Sequence, residues 1–186
     1  MKTISIIGSA GRKEDGHFVS RELWFTMLDI CCRRIKEIIG SDTEVTLRSG
    51  GAALSDHLAV AIFNNSKLLT GIKVHLELEL PCEFINGKYN DKDSTGSTAN
   101  YYHTKFAGKL SKDNLGSLKG IKKALNSNDC TFTVSEGFKE RNLLVGKDCD
   151  YLLAYTFNKG KEPAVGSGTY HCWINSNCKN KEHYSI

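Results

Sequence analysis

The sequence predicts an α/β fold, a Rossmann-like three-layer αβα domain with five or six mostly parallel strands. Three observations carry that prediction. Short apolar and β-branched runs alternate with stretches of helical periodicity, the pattern of a sheet covered on both faces. Glycine-rich turns recur after strand-like runs, at Gly8–Gly11, Ser49–Ala52 and Gly166–Thr169. The length of 186 residues, with 40% hydrophobic and 25% charged side chains, suits one packed core. A single domain over residues 1–186 is therefore expected.

The elements follow in order. Ile4 to Ile7 reads as a first strand, ending at Gly8-Ser9-Ala10-Gly11-Arg12. Leu23, Met27, Ile30, Cys31, Ile35, Ile38 and Ile39 then recur every three or four residues, which predicts a helix that stops at Gly40. Val45 to Leu47 is a second strand, and Leu54 to Phe63 a second helix. In the third strand, Ile72 to Leu80, four leucine or valine side chains alternate with Lys73, His75, Glu77 and Glu79. One polar face suits an edge strand, or one whose second face is only partly covered. Asn86 to Thr98 shows no periodicity and reads as a long polar loop. A helical region from Tyr101 to Leu125, broken near Asp113–Gly116, precedes a fourth strand at Thr131–Val134. A short helix at Lys139–Val145, a fifth strand at Asp150–Tyr155, a helix through Trp173 and a strand at His183–Ile186 complete the chain.

Composition narrows the function classes. The net charge of +4 is modest, and the basic cluster of Lys112, Lys119, Lys122 and Lys123 reads as a solvated helix face, which argues against nucleic acid as the partner. No apolar run is long enough to span a bilayer, and the N-terminus lacks a signal-peptide pattern, so a cytoplasmic protein is expected, with no membrane partner. The seven cysteines show no CxxC spacing, so they are read as reduced thiols, and no metal site or cofactor is predicted.

In a parallel sheet, turns after strands gather at the carboxyl edge, where such folds bind ligands. Glycine admits a phosphate close to the backbone, and a following helix start offers unpaired N–H groups. Neither the dinucleotide GxGxxG spacing nor a Walker loop is present. Ordinary NAD dehydrogenases and P-loop NTPases are thus poor readings.

Three segments, Ser49-Gly50-Gly51-Ala52-Ala53-Leu54-Ser55-Asp56-His57, Gly137-Phe138-Lys139-Glu140-Arg141-Asn142 and Gly166-Ser167-Gly168-Thr169, resemble the SLOG-type Rossmann-like superfamily. That group includes cytokinin-activating phosphoribohydrolases, DNA-processing proteins and nucleotide-sensing domains of bacterial defence systems. The run through Asn100-Tyr101-Tyr102-His103, Phe106 and Gly168-Thr169-Tyr170-His171-Cys172-Trp173 resembles one branch of it more narrowly. The phosphoribohydrolases carry a catalytic glutamate just after their glycine-threonine loop. Tyr170, His171 and Cys172 follow Thr169 here, with no carboxylate. No catalytic residue is assigned.

The resemblance implies a binder of a nucleotide or nucleotide-derived small molecule, ADP-ribose-like or a cyclic nucleotide signal, acting as sensor or sequestering protein. Its expected ligand residues are Gly8, Ser9, Gly11, Arg12, Gly50, Gly51, Asp56, His57, Asn100, Tyr101, His103, Arg141, Asn142, Gly166, Ser167, Gly168 and Thr169. Arg12 and Arg141 would meet phosphate. Tyr101, His103 and His57 would hold base or sugar. Bland alternatives stay open: Asp56 favouring a helix dipole, His103 packing or capping, Arg141 in a surface salt bridge. The competing reading is an N-glycosidase or deoxyribosyltransferase using Asp56, Glu77, Glu79 or Glu136, since such chemistry needs a carboxylate. A DNA-binding module is a third. A homo-oligomer is expected from related domains.

Overall fold

The computed structural model describes residues 1–186. In chain order the elements are β1 (Lys2–Gly8), α1 (Asp15–Phe18), α2 (Arg21–Ile39), β2 (Glu44–Ser49), α3 (His57–Asn64), β3 (Lys73–Leu80), β4 (Phe84–Ile85), β5 (Lys88–Tyr89), α4 (Ser94–Leu110), α5 (Gly116–Leu125), β6 (Cys130–Val134), α6 (Phe138–Val145), β7 (Tyr151–Thr156), α7 (Gly168–Asn175) and β8 (Asn180–Ser185). Six strands form one sheet in the order β6-β3-β2-β1-β7-β8, and every neighbouring pair is parallel. Helices cover both faces, which is the Rossmann-like three-layer α/β architecture. No helix is long and apolar enough to cross a membrane.

Side-chain alternation sorts the two faces. Ile4 and Ile6 of β1, with Leu153 and Tyr155 of β7, join a core of 31 buried residues with α2, α3, α4 and α5. Ile7, Leu152 and Ala154 point the other way, into a cluster of 7 with Val145 of α6 and Cys172 of α7. The seven cysteines are unpaired, five of them buried in these two cores. α2 shows how locally the sequence decides. Ser20 caps it by accepting from the Leu23 N–H, Cys31, Ile35 and Ile38 form its buried stripe, and Gly40 ends it at φ +60°.

Two expectations change, and of the two placements expected for β3 the partly covered one holds. The polar stretch from Asn86 is no loop: Asn86-Gly87, at φ +53° and +84°, turns the β4–β5 hairpin, and Asp93 then caps α4 through the N–H groups of Thr95 and Gly96. The second helix begins at His57 rather than Leu54, because residues 54–56 form a turn in which Leu54 takes φ +59°. β3 lies inside the sheet rather than at its edge. Its polar side is the partly covered face, where Glu77 pairs with Arg48 of β2 at 2.6 Å.

Gly8, opposite Tyr155 in the β1–β7 register, has no room for a side chain. A Cβ there would lie 2.0 Å from the Tyr155 carbonyl oxygen and 2.5 Å from Ser55 Cβ. Gly8→Ala is expected to destabilise the fold by about 3 kcal/mol, the upper end for overpacking. A thermal melt of the variant should then show a fall of roughly 6–12 °C.

Candidate functional site

The strand order reverses at β1. From it the chain runs outward through β2, β3 and β6, then returns to place β7 and β8 on the other side. Ligands of open parallel sheets bind outside the carboxyl ends at such a switch point. A cleft of about 580 Å³ lies there, lined by the first turn (Gly8, Ser9, Ala10, Arg12, Lys13, Asp15), the third turn (Gly166 to Thr169), and Phe138, Arg141 and Asn142 of α6.

Each wall has a local cause. Ser9 Oγ donates to Asp15 at 2.9 Å and accepts from the Gly11 N–H at 3.1 Å, which curls the first turn back on itself. Gly11, at φ +67°, holds the left-handed conformation this needs. On the opposite wall Ser167 caps α7 by accepting from the Tyr170 N–H. Asn142 Nδ2 donates to the Gly168 carbonyl at 3.0 Å and so ties that turn to α6.

The floor is a buried ion pair. Arg141 Nη1 donates to Asp56 Oδ2 at 2.7 Å, and Asp56 Oδ1 accepts from the Gly8 N–H at 3.1 Å. Burial pushes the Asp56 carboxyl above its ordinary value, against the pull of Arg141 and of the Ala52 and Gly8 N–H groups. Arg141 is 7% exposed, and its Nε has no hydrogen-bond partner. The pair explains Gly50: a Cβ there would fall 1.5 Å from Arg141 Nη1.

The seventeen residues singled out in the sequence therefore divide. Gly8, Ser9, Arg12, Asp56, Arg141, Asn142 and Gly166 to Thr169 share the cleft. Gly50 and Gly51 stand behind it, beside a small hollow with Tyr89. Gly50 makes room for arginine, while the Gly51 carbonyl accepts from Tyr89 Oη at 2.6 Å and is met by His103 Nε2 at 2.9 Å. His103 is fully buried, with Nδ1 2.6 Å from Ser117 Oγ. His57 packs among Trp24, Phe106 and His103. Both histidines are core residues, because their rings fill the space between α3, α4 and α5. Asn100 exchanges two hydrogen bonds with the Tyr89 backbone and pins the β4–β5 hairpin to α4. Gly11 and Tyr101 line an adjoining groove.

Sequence reasoning missed Lys13, Asp15 and Phe138 in the cleft, and Tyr102 in the adjoining hollow and groove. Arg12 reaches over the floor with its guanidinium 5.0 Å from the Tyr102 ring centre and 5.2 Å from that of Phe138. The aromatic at 138 lies within the quoted motif, directly before a helix, and was the available signal. No cluster of three His, Cys, Asp or Glu side chains gathers as a metal site would.

No family model and no solved structure matches the chain. A protein of Acanthamoeba polyphaga mimivirus, "Uncharacterized protein R261", is 32% identical over 180 residues, covering 96% of this chain and 92% of the relative. The chain belongs to the family of that viral protein.

Burial beneath the cleft has a pH signature. Desolvation lowers His57 from 6.5 to about 3 and His103 from 6.5 to about 4, so both are neutral when folded. The unfolded chain binds their protons first, so stability is full above pH 6.5 and falls as the pH drops toward 4. Denaturant midpoints measured across this window should decline with acid. His57→Leu should remove roughly half of the histidine part of that slope, one of two protons taken up on unfolding.

Proposed function

We propose that this member of the R261 family binds a nucleotide or nucleotide-derived small molecule at the switch-point cleft, as a sensor or a sequestering protein. One observation carries the reading. Arg141 is buried in the cleft wall, fixed by Asp56 through one nitrogen, with its Nε left without a partner. A buried donor without a partner is costly, and a phosphate oxygen is the acceptor a guanidinium suits best. Arg12 and Lys13 add positive charge beside it. Ser167 uses its oxygen on Tyr170, leaving the Gly168 and Thr169 N–H groups at the start of α7 outside the helix's own bonds. The resemblance to SLOG-type nucleotide-sensing domains supports the same reading.

Carboxylate positions favour binding over glycoside cleavage. Of the four suspects, only Asp56 lines the cleft, and it is held by Arg141. Glu77 is paired with Arg48, Glu136 lines a separate hollow beside Glu83 and Asp93, and Glu79 sits half-buried on β3. Asp15, the other carboxylate of the cleft, holds Ser9.

Native mass spectrometry of protein purified from cells, followed by denaturing release, tests the proposal. An intact nucleotide-type molecule recovered unchanged is expected, and the same spectrum reads the homo-oligomer that belongs to this reading. An empty protein that no nucleotide stabilises would remove the proposal, and free base released from a nucleotide would replace it with the glycosidase. Arg12→Ala, at an exposed side chain, should weaken nucleotide binding by about tenfold, or 1.4 kcal/mol, and lower the melting temperature by no more than about 4 °C through the lost contacts with Tyr102 and Phe138.

A further inference from the structure

A second groove adjoins the cleft across the turn between β1 and α1. Its volume is about 440 Å³, and it lies between that turn and α4. Ala10 and Lys13 line both cavities, which places the two side by side.

The chemistry of this groove is one-sided. The buried Val19, Leu54 and Phe106 lie beneath it, and Tyr101 and Tyr102 stand along it. Lys13, Lys105 and Lys109 line it, and no carboxylate does. Three exposed lysines elsewhere have acidic partners, Lys73 with Asp129, Lys88 with Asp91 and Lys119 with Asp113. His17, also in the groove, has Glu14 at 3.7 Å. Lys13, Lys105 and Lys109 form no salt bridge, so the groove presents positive charge with no carboxylate in its lining. Lys105 Nζ sits 4.8 Å from the centre of the Tyr101 ring, which places positive charge beside an aromatic face that is 52% exposed. Backbone strain converges here too. Lys13 at φ +51° and Leu54 at φ +59° are two of four non-glycine residues with positive φ, and both line the groove. Strained residues persist where the surroundings hold them, and they gather at ligand sites.

We infer that this groove is the second half of the ligand site and takes the second nucleotide unit of a dinucleotide-type ligand. A phosphate meets Lys105 and Lys109, its base lies against Tyr101 and Tyr102, and Lys13 stands at the junction of the two units. Base and phosphate recognition by aromatic and cationic side chains together is how single-stranded nucleotides are generally held. The inference rests on the nucleotide reading of the main cleft and goes beyond it by fixing the size and charge of the ligand.

Calorimetric titration of the full chain with 5′-AMP and with the linear dinucleotide pApA separates the two claims. The dinucleotide is expected to bind about tenfold tighter than the mononucleotide or better. Lys105→Ala/Lys109→Ala, at two exposed positions on α4, should bring pApA down to the affinity of AMP and leave AMP within about twofold. Lys105→Arg/Lys109→Arg should keep the advantage. If AMP binds and pApA gains nothing, or if the alanine pair leaves the gain intact, this inference is wrong and the main-cleft reading stands. If neither molecule binds the unaltered protein, the nucleotide reading fails and the second subsite with it.

Discussion

The Asp56–Arg141 ion pair is the constraint on which the rest of this edge of the sheet depends. A buried pair costs more in lost hydration than it returns unless its geometry is good and further hydrogen bonds complete it. Here the completion comes from the backbone. The Gly8 N–H reaches one carboxylate oxygen, and Arg141 reaches the other at 2.7 Å. Three segments distant in sequence, the end of β1, the start of α3 and the middle of α6, are thereby locked together. Gly50 follows from the same requirement, since any side chain would occupy the volume of the guanidinium.

This arrangement also leaves the arginine incomplete. A guanidinium has five N–H donors in a rigid fork, and the fold employs the Nη1 end while Nε stays unsatisfied. The supporting pair holds that fork still, and under the proposed reading this spares the ligand ordering entropy. Around it the cleft walls are equally pre-set: Ser9 binds its own turn, Ser167 caps α7, and Asn142 bridges α6 to Gly168. The asymmetric helix layers serve this geometry. The 31-residue core anchors β1, β2 and β3 on one face, while the small cluster on the other packs α6 and α7, which bring Arg141, Asn142 and Thr169 to the cleft.

Much of the fold was legible because parallel strands and amphipathic helices write their periods into local sequence. The stripe of α2 and the runs at Val45–Leu47 and Tyr151–Tyr155 are of this kind. The β4–β5 hairpin was equally legible in Asn86-Gly87, yet the polarity of its neighbours hid it. The site was legible only in part. Glycine turns mark where the backbone turns tightly, and they do not say what fills the space: Gly50 admits an arginine, Gly8 admits a neighbouring strand, and Gly166 stands open. His57 and His103 illustrate the converse error. A polar side chain in a motif reads as a ligand until its ring is found packed on Trp24 or bonded to Ser117. The pairing of Asp56 with Arg141 spans 85 residues and has no sequence signal without the fold.

Hydrogen–deuterium exchange of the full chain, with and without saturating 5′-AMP, tests the central claim most directly. The account predicts slower exchange in residues 8–15, 138–142 and 166–170, the three segments around Arg141, with β8 and α5 unchanged. Protection confined to another surface, or none at saturation, would contradict it.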